Sequence, residues 1–465
     1  LCGESRPKYT KRRLNGTTAH GSRLVALYLD CANAGLNAWP EAGFEDGYVG
    51  PVLHCPNATS LASFRAAMQR GDIFMQAFPH DGEAGYYPDA SLFEAALSVG
   101  EGIAAELGIA PPRVISQRDV PGWTRATLPL LKKHGINGIS FGAGTPPGKA
   151  DVPPLFVWRD VASNTDIVTT YETAYGNVKT VFILPNGVAL AVQWQGDNTG
   201  PAPVKDVSKN YADLRGRYAK AAVNVSTFEA FFDEASKPEV KSLLPIVTHD
   251  ILDGWIYGVP SDPLKNSIFR EASRQRLACV EAGQCDPTTD SEVRAFDRLL
   301  VKVPEHTWGV AQSWFLPDYE NYTNVQFDAA RAQQKDGFVL NNTLHADYNS
   351  TVNSWLEQRT FVTDAPQRFA KSGKHGALAA SLDAAFKEIK EATPISDAAA
   401  AGYVQVNAMT SLFQCGAVRL GFDVNGAIGT LTESRGAAAA AWDWAGGSGD
   451  AAHALGKYVY QSFTS

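Results

Sequence analysis

Apolar positions between residues 61 and 247 follow two spacings. Short apolar runs, typical of buried strands, lie at residues 73–78, 113–116, 136–141, 167–171, 188–194, 223–225 and 243–247. Between them, apolar residues recur every three or four positions, as on one helix face, at residues 61–71, 89–108, 124–135, 204–221 and 227–234. Strands that alternate with helices predict an α/β fold in which helices cover a parallel sheet, open or closed into a barrel.

Capping residues mark several helix ends. Asp89 and Thr124 are expected N-caps, because their side chains accept hydrogen bonds from the free amides of a first helical turn. Gly108 and Gly135 are expected helix ends, because glycine adopts the left-handed conformation readily. These residues predict helices that begin near residues 89 and 124.

The pattern changes after Pro263. Helical spacing now extends over residues 291–301, 352–369 and 378–389, which predicts an antiparallel helical bundle. From about Val404, short alternating runs with intervening glycines predict the first strands of a β-domain. The expected parts are an atypical N-terminal segment (1–60), a barrel domain (61–262), a helical domain (263–400) and the start of a β-domain that continues beyond the chain (401–465).

Composition and charge argue against several function classes. The chain has 465 residues, 45% hydrophobic and 19% charged, with a net charge of −8. This acidic balance gives no electrostatic attraction for nucleic acid or an anionic membrane. No apolar run reaches the ~20 residues that span a bilayer. Walker-type loops, G-x-G-x-x-G after a strand and G-x-S-x-G elbows are missing from the sequence, which therefore offers no support for nucleotide-driven chemistry or serine hydrolysis.

Cysteines and glycosylation sequons give an indication of the cellular compartment of the protein. Cys279 and Cys285 bracket a five-residue loop and are open to two interpretations, a disulfide or two thiols. N-x-S/T sequons begin at Asn15, Asn57, Asn224, Asn321, Asn341 and Asn349. Together these features favour a secreted or lumenal protein.

The strongest candidate for chemistry is residues 117–124, Gln-Arg-Asp-Val-Pro-Gly-Trp-Thr, where a strand ends and a helix begins. In parallel α/β folds this boundary lies at the ligand-binding edge of the sheet. Asp119 stands at that edge, and Trp123 is expected to contact substrate. Because Thr124 is the expected helix cap, Asp119 is predicted to serve the reaction instead.

A second candidate segment, residues 248–258, directly follows a predicted strand. It contains His249, Asp250, Asp253, Trp255 and Tyr257. Aromatic rings stack on sugar C–H faces and a carboxyl pair supplies acid and nucleophile, so this composition is typical of a sugar site. The alternative is a loop that only joins the barrel to the helical domain.

Three further positions are weaker candidates. His80 and Asp197 follow the predicted strands 73–78 and 188–194, and are expected to contact substrate at the same sheet edge. His306, beside Glu305, is open to interpretation as a metal ligand, a substrate contact or a buried core histidine, and spacing alone favours the last.

At these segments the chain resembles the domain of unknown function 5054 family, which in turn resembles the N-terminal region of the glycoside hydrolase family 38 α-mannosidases. The resemblance runs from about Leu61 to Ser465. It rests on separate sequence matches that occur in one order, at residues 117–124, 128–131, 254–258, 261–265, 304–309, 318–322 and 458–463.

The resemblance implies a seven-stranded β/α barrel followed by a three-helix bundle and the start of a β-sandwich. The family's Asp-Pro-Phe-Gly-His-Ser motif aligns with residues 119–124, which gives Asp119 the role of zinc ligand and nucleophile. Asp253 is the nearest match to the acid/base aspartate, and His306 to the last zinc ligand. The family's His-x-Asp after the first strand is replaced here by Tyr28-Leu-Asp30, so only Asp30 is carried over as a ligand.

The resulting hypothesis is a zinc-dependent retaining glycoside hydrolase of the α-mannosidase type with a carbohydrate substrate. Because the histidine of His-x-Asp is missing, a non-catalytic carbohydrate-binding protein on a degenerate barrel is an alternative. A metal-dependent polysaccharide deacetylase on a similar barrel is a third. The sequence leaves the sugar, the linkage and the oligomeric state open.

Overall fold

The structure is a computed structural model. It describes residues 57–120, 122–143, 150–176, 180–192, 202–251, 262–306, 309, 316, 318, 320–333, 348–369, 373–392, 397–404, 411–423 and 427–434, and the strand residues 38–39, 53–54 and 442–443. The chain divides into two compact units, Leu1–Glu391 and Ala392–Ser465.

The strands of the described residues are β1 (Ala38–Trp39), β2 (Leu53–His54), β3 (Val114–Asp119), β4 (Gly138–Ala143), β5 (Leu155–Asp160), β6 (Thr165–Glu172), β7 (Val181–Ile183), β8 (Ala189–Ala191), β9 (Ile246–Val247), β10 (Leu412–Cys415), β11 (Val418–Phe422), β12 (Ile428–Glu433) and β13 (Trp442–Asp443). The helices are α1 (Ala58–Arg70), α2 (Ala90–Leu107), α3 (Leu128–Lys133), α4 (Val204–Arg217), α5 (Phe228–Ala235), α6 (Pro238–Lys241), α7 (Pro263–Glu281), α8 (Ser291–Leu300), α9 (Asn324–Gln333), α10 (Tyr348–Thr363) and α11 (Gly376–Glu391).

The central sheet of the first unit is mixed. Within the described residues it has five strands in the order β3-β4-β6-β5-β9. Strands β3, β4 and β6 are parallel, whereas β5 is antiparallel to β6. The α/β class is confirmed, but the expectation of a wholly parallel sheet is wrong. The sequence analysis did not predict β5, which reaches β6 through a short turn containing Asn164 at φ 54°, and such short connections join antiparallel strands.

The core of the first unit lies on both faces of this sheet. Every residue of β4 is buried. Leu128 and Leu131 of α3 are fully buried, as their helical spacing predicts. Gly138 is packed so closely that an added Cβ would lie 2.2 Å from Cγ of Phe232 in α5. Close packing therefore holds β4 between β3 and β6 and against α5.

The predicted helix boundaries are confirmed for α2 and corrected for α3. The Asp89 side chain accepts a hydrogen bond from the Leu92 amide at 2.8 Å, and Gly108 ends α2 at φ 68°. Thr124 is not a side-chain cap. Its hydroxyl donates to Asp250, which also accepts from the Arg125 amide at 2.7 Å. Asp250, distant in sequence, thus binds both the expected cap residue and the amide that follows it.

Three predicted strands are corrected. Residues 73–78 form no strand, although the Ala77 amide donates to the Val114 carbonyl of β3 at 3.0 Å. Residues 223–225 are irregular, with Val223 half-buried and Asn224 and Val225 exposed. The run at 188–194 contributes β8, which pairs with β7 in an antiparallel hairpin instead of joining the sheet.

The described residues after Pro263 are mainly helical up to Glu391, as predicted, and Cys279 forms a disulfide with Cys285. In the second unit, β10, β11, β12 and β13 form an antiparallel sheet, in line with the predicted β-domain. Among the described helices, none combines the length and the apolar character that a membrane span requires.

Candidate active site

Asp119 is the last residue of β3 and has an unusual backbone. Its φ of 68° lies in the left-handed region, and the Val120 amide donates to the Arg118 carbonyl across it at 2.9 Å. This is a γ-turn with a positive central φ, a rare and strained conformation. Strain of this kind is retained where the surroundings hold it in place, and it concentrates at functional sites.

The next turn brings the chain against a second segment. An added Cβ at Gly122 would lie 2.1 Å from the Ile251 carbonyl oxygen, so only glycine fits there. Trp123 forms an antiparallel bridge with Ile251. The segment after β3 is therefore held by the segment after β9, which fixes the direction in which Asp119 leaves the sheet.

Both carboxylate oxygens of Asp119 are engaged. The Tyr175 hydroxyl donates to Oδ1, and Nε2 of His306 lies 2.9 Å from Oδ2. The His306 side chain is 2% exposed and that of Asp119 is 14% exposed. Asp119 therefore keeps some solvent contact at the sheet edge, while the histidine behind it is enclosed.

A third side chain sets the orientation of the His306 ring. Its Nδ1 lies 2.8 Å from Oε1 of Glu305 and 3.2 Å from the Asp81 carbonyl oxygen. The ring is thus held between Glu305 on one side and Asp119 on the other, and Nε2 faces Asp119. Metal-binding histidines are oriented in the same way, by a carboxylate or carbonyl at the opposite ring nitrogen.

Backbone pairing explains how His306 reaches Asp119 from 187 positions along the chain. Gly82 forms an antiparallel bridge with Glu305, and the Glu83 amide donates to the Pro304 carbonyl at 2.7 Å. Asp81 connects this pair to β3, because its carboxylate accepts from the Arg118 amide at 3.0 Å. Residues 81–83 therefore bridge β3 and the segment that ends at His306.

The site contains an unusual density of buried charge. Asp81, Glu83, Glu305, Lys265 and Arg118 are each less than 5% exposed. Burial raises the pKa of Asp81 well above its ordinary value; His306 opposes the shift, and the negative charges of Glu305 and Asp119 add to it. Charged groups are buried at this density mainly where they are paired or functional.

Burial shifts the pKa values of the buried cations in the opposite direction. Burial lowers the pKa of Lys265 to about 7, although neighbouring carboxylates, including Glu83 and Glu305, oppose the shift. Burial also lowers the pKa of Arg118 to about 10, against the effect of Glu172 and Asp81.

His306 behaves differently from these cations. Burial alone would lower its pKa, but Glu305, Asp119 and Asp81 raise the pKa well above the ordinary value. Both ring nitrogens therefore lie against carboxylates, and a metal ion bound at Nε2 would have to replace any proton held there.

The predicted site residues are partly brought together. Asp119 and His306 are in direct contact. Trp123 is fully buried, its ring centroid lies 4.8 Å from that of Phe78, and it therefore packs in the core where a substrate contact was expected. His80 is buried beside the site. His249 is exposed, and its carbonyl accepts from Nε1 of Trp158.

The other predicted site residues lie outside the described residues: Asp30, Asp197, Asp253, Trp255 and Tyr257. Their assigned roles stay predictions.

Several residues around Asp119 and His306 were not among the predicted site residues. Asp81 and Glu83 lie in the segment that supplied His80, and Glu305 is adjacent to His306, so a search for carboxylates next to each candidate histidine would have found all three. Tyr175 and Lys265 carry no local signal, because only the fold places them near Asp119.

The donor chemistry at Asp119 fits zinc in part. Zinc is bound by carboxylate oxygen and imidazole nitrogen, and catalytic sites use three protein ligands. Asp119 and His306 supply one of each, and Glu305 orients the histidine. Asp30, the third predicted ligand, lies outside the described residues.

A second group of potential ligands, Cys279, Cys285 and His375, is the one compact triplet of such side chains within the described part of the chain. Both of its sulfur atoms are joined in the disulfide, so they are not thiolate ligands. Asp119 and His306 therefore carry the argument for a metal.

The comparisons with known proteins comprise two solved structures and one family model. Among solved structures, the chain is similar to an alpha-mannosidase from Enterococcus faecalis, with 13% identity and a TM-score of 0.41, over 79% of this chain and 40% of that one. It is also similar to 4-alpha-glucanotransferase from Thermococcus litoralis, with 11% identity and a TM-score of 0.30, over 81% of this chain and 56% of that one. The chain thus spans little more than half, or less, of the length of these proteins.

A comparison with curated proteins found no match. The family model described as Domain of unknown function (DUF5054) matches residues 259–465. This match confirms the resemblance for the helical and β-domain segments, while the resemblance of residues 61–258 stays a prediction. The similarity to this family is therefore shown for residues 259–465 of this chain, which include His306.

Proposed function

We propose that this chain acts on carbohydrate as a zinc-dependent retaining glycoside hydrolase of the α-mannosidase type. The observation that carries the proposal is the line of three side chains Glu305, His306 and Asp119, in which a buried carboxylate orients an imidazole toward a second carboxylate at the sheet edge. The proposal includes a seven-stranded β/α barrel, a three-helix bundle and a β-sandwich. It also includes a secreted or lumenal location, which the Cys279–Cys285 disulfide supports.

Asp119 and His306 would hold the zinc ion. The orientation of His306 by Glu305 is the outer-shell arrangement that protein zinc sites use to fix a ligating ring. Zinc, when bound, supplies a template that orients sugar hydroxyls. Because these groups are buried or half-buried, their mutual geometry is preorganised.

Asp119 is the proposed nucleophile. Its carboxylate oxygen attacks the anomeric carbon, the bond from that carbon to the leaving oxygen breaks, and Asp253 donates a proton to the leaving oxygen. Asp253 then takes a proton from water, which displaces Asp119 from the sugar and regenerates the carboxylate. Tyr175 donates to Oδ1 of Asp119 and holds the carboxylate in place between these steps. Retention predicts a separation of about 5–5.5 Å between the two carboxyl groups.

The first test replaces Asp119. Asp119→Asn should lower the turnover of an aryl α-mannoside by about 10⁴-fold or more, because the nucleophile is lost. Asp119→Gly should also lose turnover, while glycine tolerates the positive φ of the γ-turn and keeps the fold. With azide in place of the missing carboxylate, Asp119→Gly should recover turnover and release a glycosyl azide of inverted configuration.

Asp213→Asn, on the exposed face of α4, is the matched control and should keep wild-type turnover. Full turnover in Asp119→Asn refutes the nucleophile assignment. Sugar binding by a zinc-free wild-type protein, with no product from any α-glycoside, supports the carbohydrate-binding alternative. Release of acetate from an acetylated polysaccharide, with no sugar released, supports the deacetylase.

A further inference from the structure

An apolar groove lies at the opposite end of β3 from Asp119. Its volume is about 890 Å³, and its walls come from α4, the β7–β8 hairpin and the segment 221–229. Val114, the first residue of β3, lines its floor, whereas Asp119 is the last residue of the same strand. The groove is therefore separate from the candidate active site.

The walls of this apolar groove expose large hydrophobic side chains. Val225 is 83% exposed, Ile183 is 56%, Phe74 is 55%, Val188 is 41% and Val207 is 38%. Apolar surface in water costs roughly 25 cal/mol per Å², and soluble proteins seldom leave contiguous apolar patches uncovered. The concentration of these residues in one groove calls for a partner that covers them.

A glycosylation sequon forms part of the wall. Asn224, Val225 and Ser226 make an N-x-S sequence in the irregular segment before α5, and all three are exposed. Asn224 lines the apolar groove and also an adjoining depression of about 410 Å³, where Ser208 and Arg215 offer polar groups. A sugar chain attached to Asn224 would therefore extend between apolar surface on one side and hydrogen-bonding groups on the other.

Two other sequons of the described residues provide a comparison. Nδ2 of Asn321 donates to Asp318 at 3.0 Å and to the Tyr348 hydroxyl at 3.4 Å, so both of its hydrogens are used. A glycan replaces one of these hydrogens and would break a contact. Asn57 is exposed and caps α1 through its oxygen, which accepts from the Ser60 amide, so its nitrogen can carry a glycan.

We propose that Asn224 carries an N-linked glycan whose first sugars lie across the apolar groove. In the transfer, Nδ2 of Asn224 attacks the anomeric carbon of a lipid-linked oligosaccharide diphosphate. The new C–N bond replaces the C–O bond to the lipid diphosphate, which leaves, and Nδ2 loses one proton. Sugar rings have apolar C–H faces and polar hydroxyl edges, so they cover Val225 and Tyr211 while the outer surface stays hydrated. The inference rests on the secretory location proposed above.

The experiment uses the full chain, secreted from a eukaryotic cell behind an added signal sequence. Peptide mapping before and after enzymatic deglycosylation measures the occupancy of each sequon in one sample. We expect high occupancy at Asn224 and at Asn57, and little or none at Asn321. Occupancy of Asn57 together with an unmodified Asn224 overturns the proposal.

A second measurement tests whether the glycan covers the apolar groove. Deglycosylation of the folded protein, or Ser226→Ala, should raise the fluorescence of an apolar-surface dye roughly two-fold, because the groove becomes exposed. Thr59→Ala removes the Asn57 sequon but keeps the Asn57 cap, so it should leave the dye signal unchanged. If Asn224 is glycosylated and the dye signal is the same before and after deglycosylation, the glycan does not cover the apolar groove. The glycoside turnover that depends on Asp119 is expected to be the same with and without the glycan at Asn224. The glycan proposal and the hydrolase proposal can therefore fail independently.

Discussion

The buried ion pair of Arg276 and Asp297 provides a quantitative test of the helical part. Nε and Nη2 of Arg276 on α7 lie 2.5 and 2.7 Å from the two carboxylate oxygens of Asp297 on α8. Nη1 of Arg276 donates to the Ser91 hydroxyl of α2 at 3.0 Å. The two side chains are 1% and 5% exposed. The pair therefore joins three helices in the interior.

Asp297→Asn should destabilise the protein strongly. The substitution preserves shape but leaves the buried Arg276 charge with Asp89, at 4.0 Å, as its remaining countercharge, and breaking a buried pair in this way costs up to about 3–5 kcal/mol. Domains are stable by only about 5–15 kcal/mol, so this loss removes a large part of the free energy of unfolding.

The double replacement Arg276→Met with Asp297→Leu should be far milder. Burial raises the pKa of Asp297 even though Arg276 lowers it. The cost of desolvating the carboxylate therefore exceeds the stabilisation that it gains from Arg276. Removing both charges avoids this cost, and the change should lie between neutral and a stabilisation of about 1–4 kcal/mol.

Equilibrium urea unfolding, followed by tryptophan fluorescence and circular dichroism, measures these differences. Glu271→Gln is the matched control, because Glu271 pairs with the exposed Arg274 on the same helix α7. Exposed pairs contribute little, so this variant should unfold like the wild type. An Asp297→Asn variant no less stable than Glu271→Gln would refute the reasoning.

Two further predictions concern metal binding and acid stability. Glu305→Gln should weaken zinc binding about 10- to 100-fold in competition with a chromophoric chelator, because His306 loses the carboxylate that orients it. Hydrogen bonds from Lys374 and His375 hold the pKa of Asp290 below its ordinary value, so its contribution to stability is present above the unfolded-state pKa of about 3.9 and is lost as the pH falls below it. The stability difference between wild type and Asp290→Asn should therefore be largest near neutral pH and should shrink in acid.

Each of these has a clear contrary outcome. Unchanged zinc affinity in Glu305→Gln, with Asp213→Asn as the surface control, would show that the carboxylate does not position His306. A stability difference for Asp290→Asn that stays constant between neutral and acid pH would contradict the assigned ion pairs. Asparagine keeps the ability to cap α8, so a lost helix cap does not confuse the second result.

The sequence predicted features that depend on neighbouring residues. The boundaries of α2 follow from Asp89 and Gly108, since capping and left-handed termination act within one turn. Asp119 was placed at the end of a strand from the local pattern alone, and the structure has it there. The same reasoning failed at Thr124, whose hydroxyl donates to Asp250, and this remote carboxylate also accepts from the Arg125 amide.

The sequence by itself therefore determined the α/β class of the first unit, the helical character after Pro263 and the position of Asp119 at the end of β3. Only the tertiary structure decided that β5 runs antiparallel, that Trp123 is buried in the core, and that Glu305 orients His306 toward Asp119. The physical reason is the range of the interactions. Spacing and capping record hydrogen bonds made within an element, whereas contacts between distant segments depend on how the elements pack.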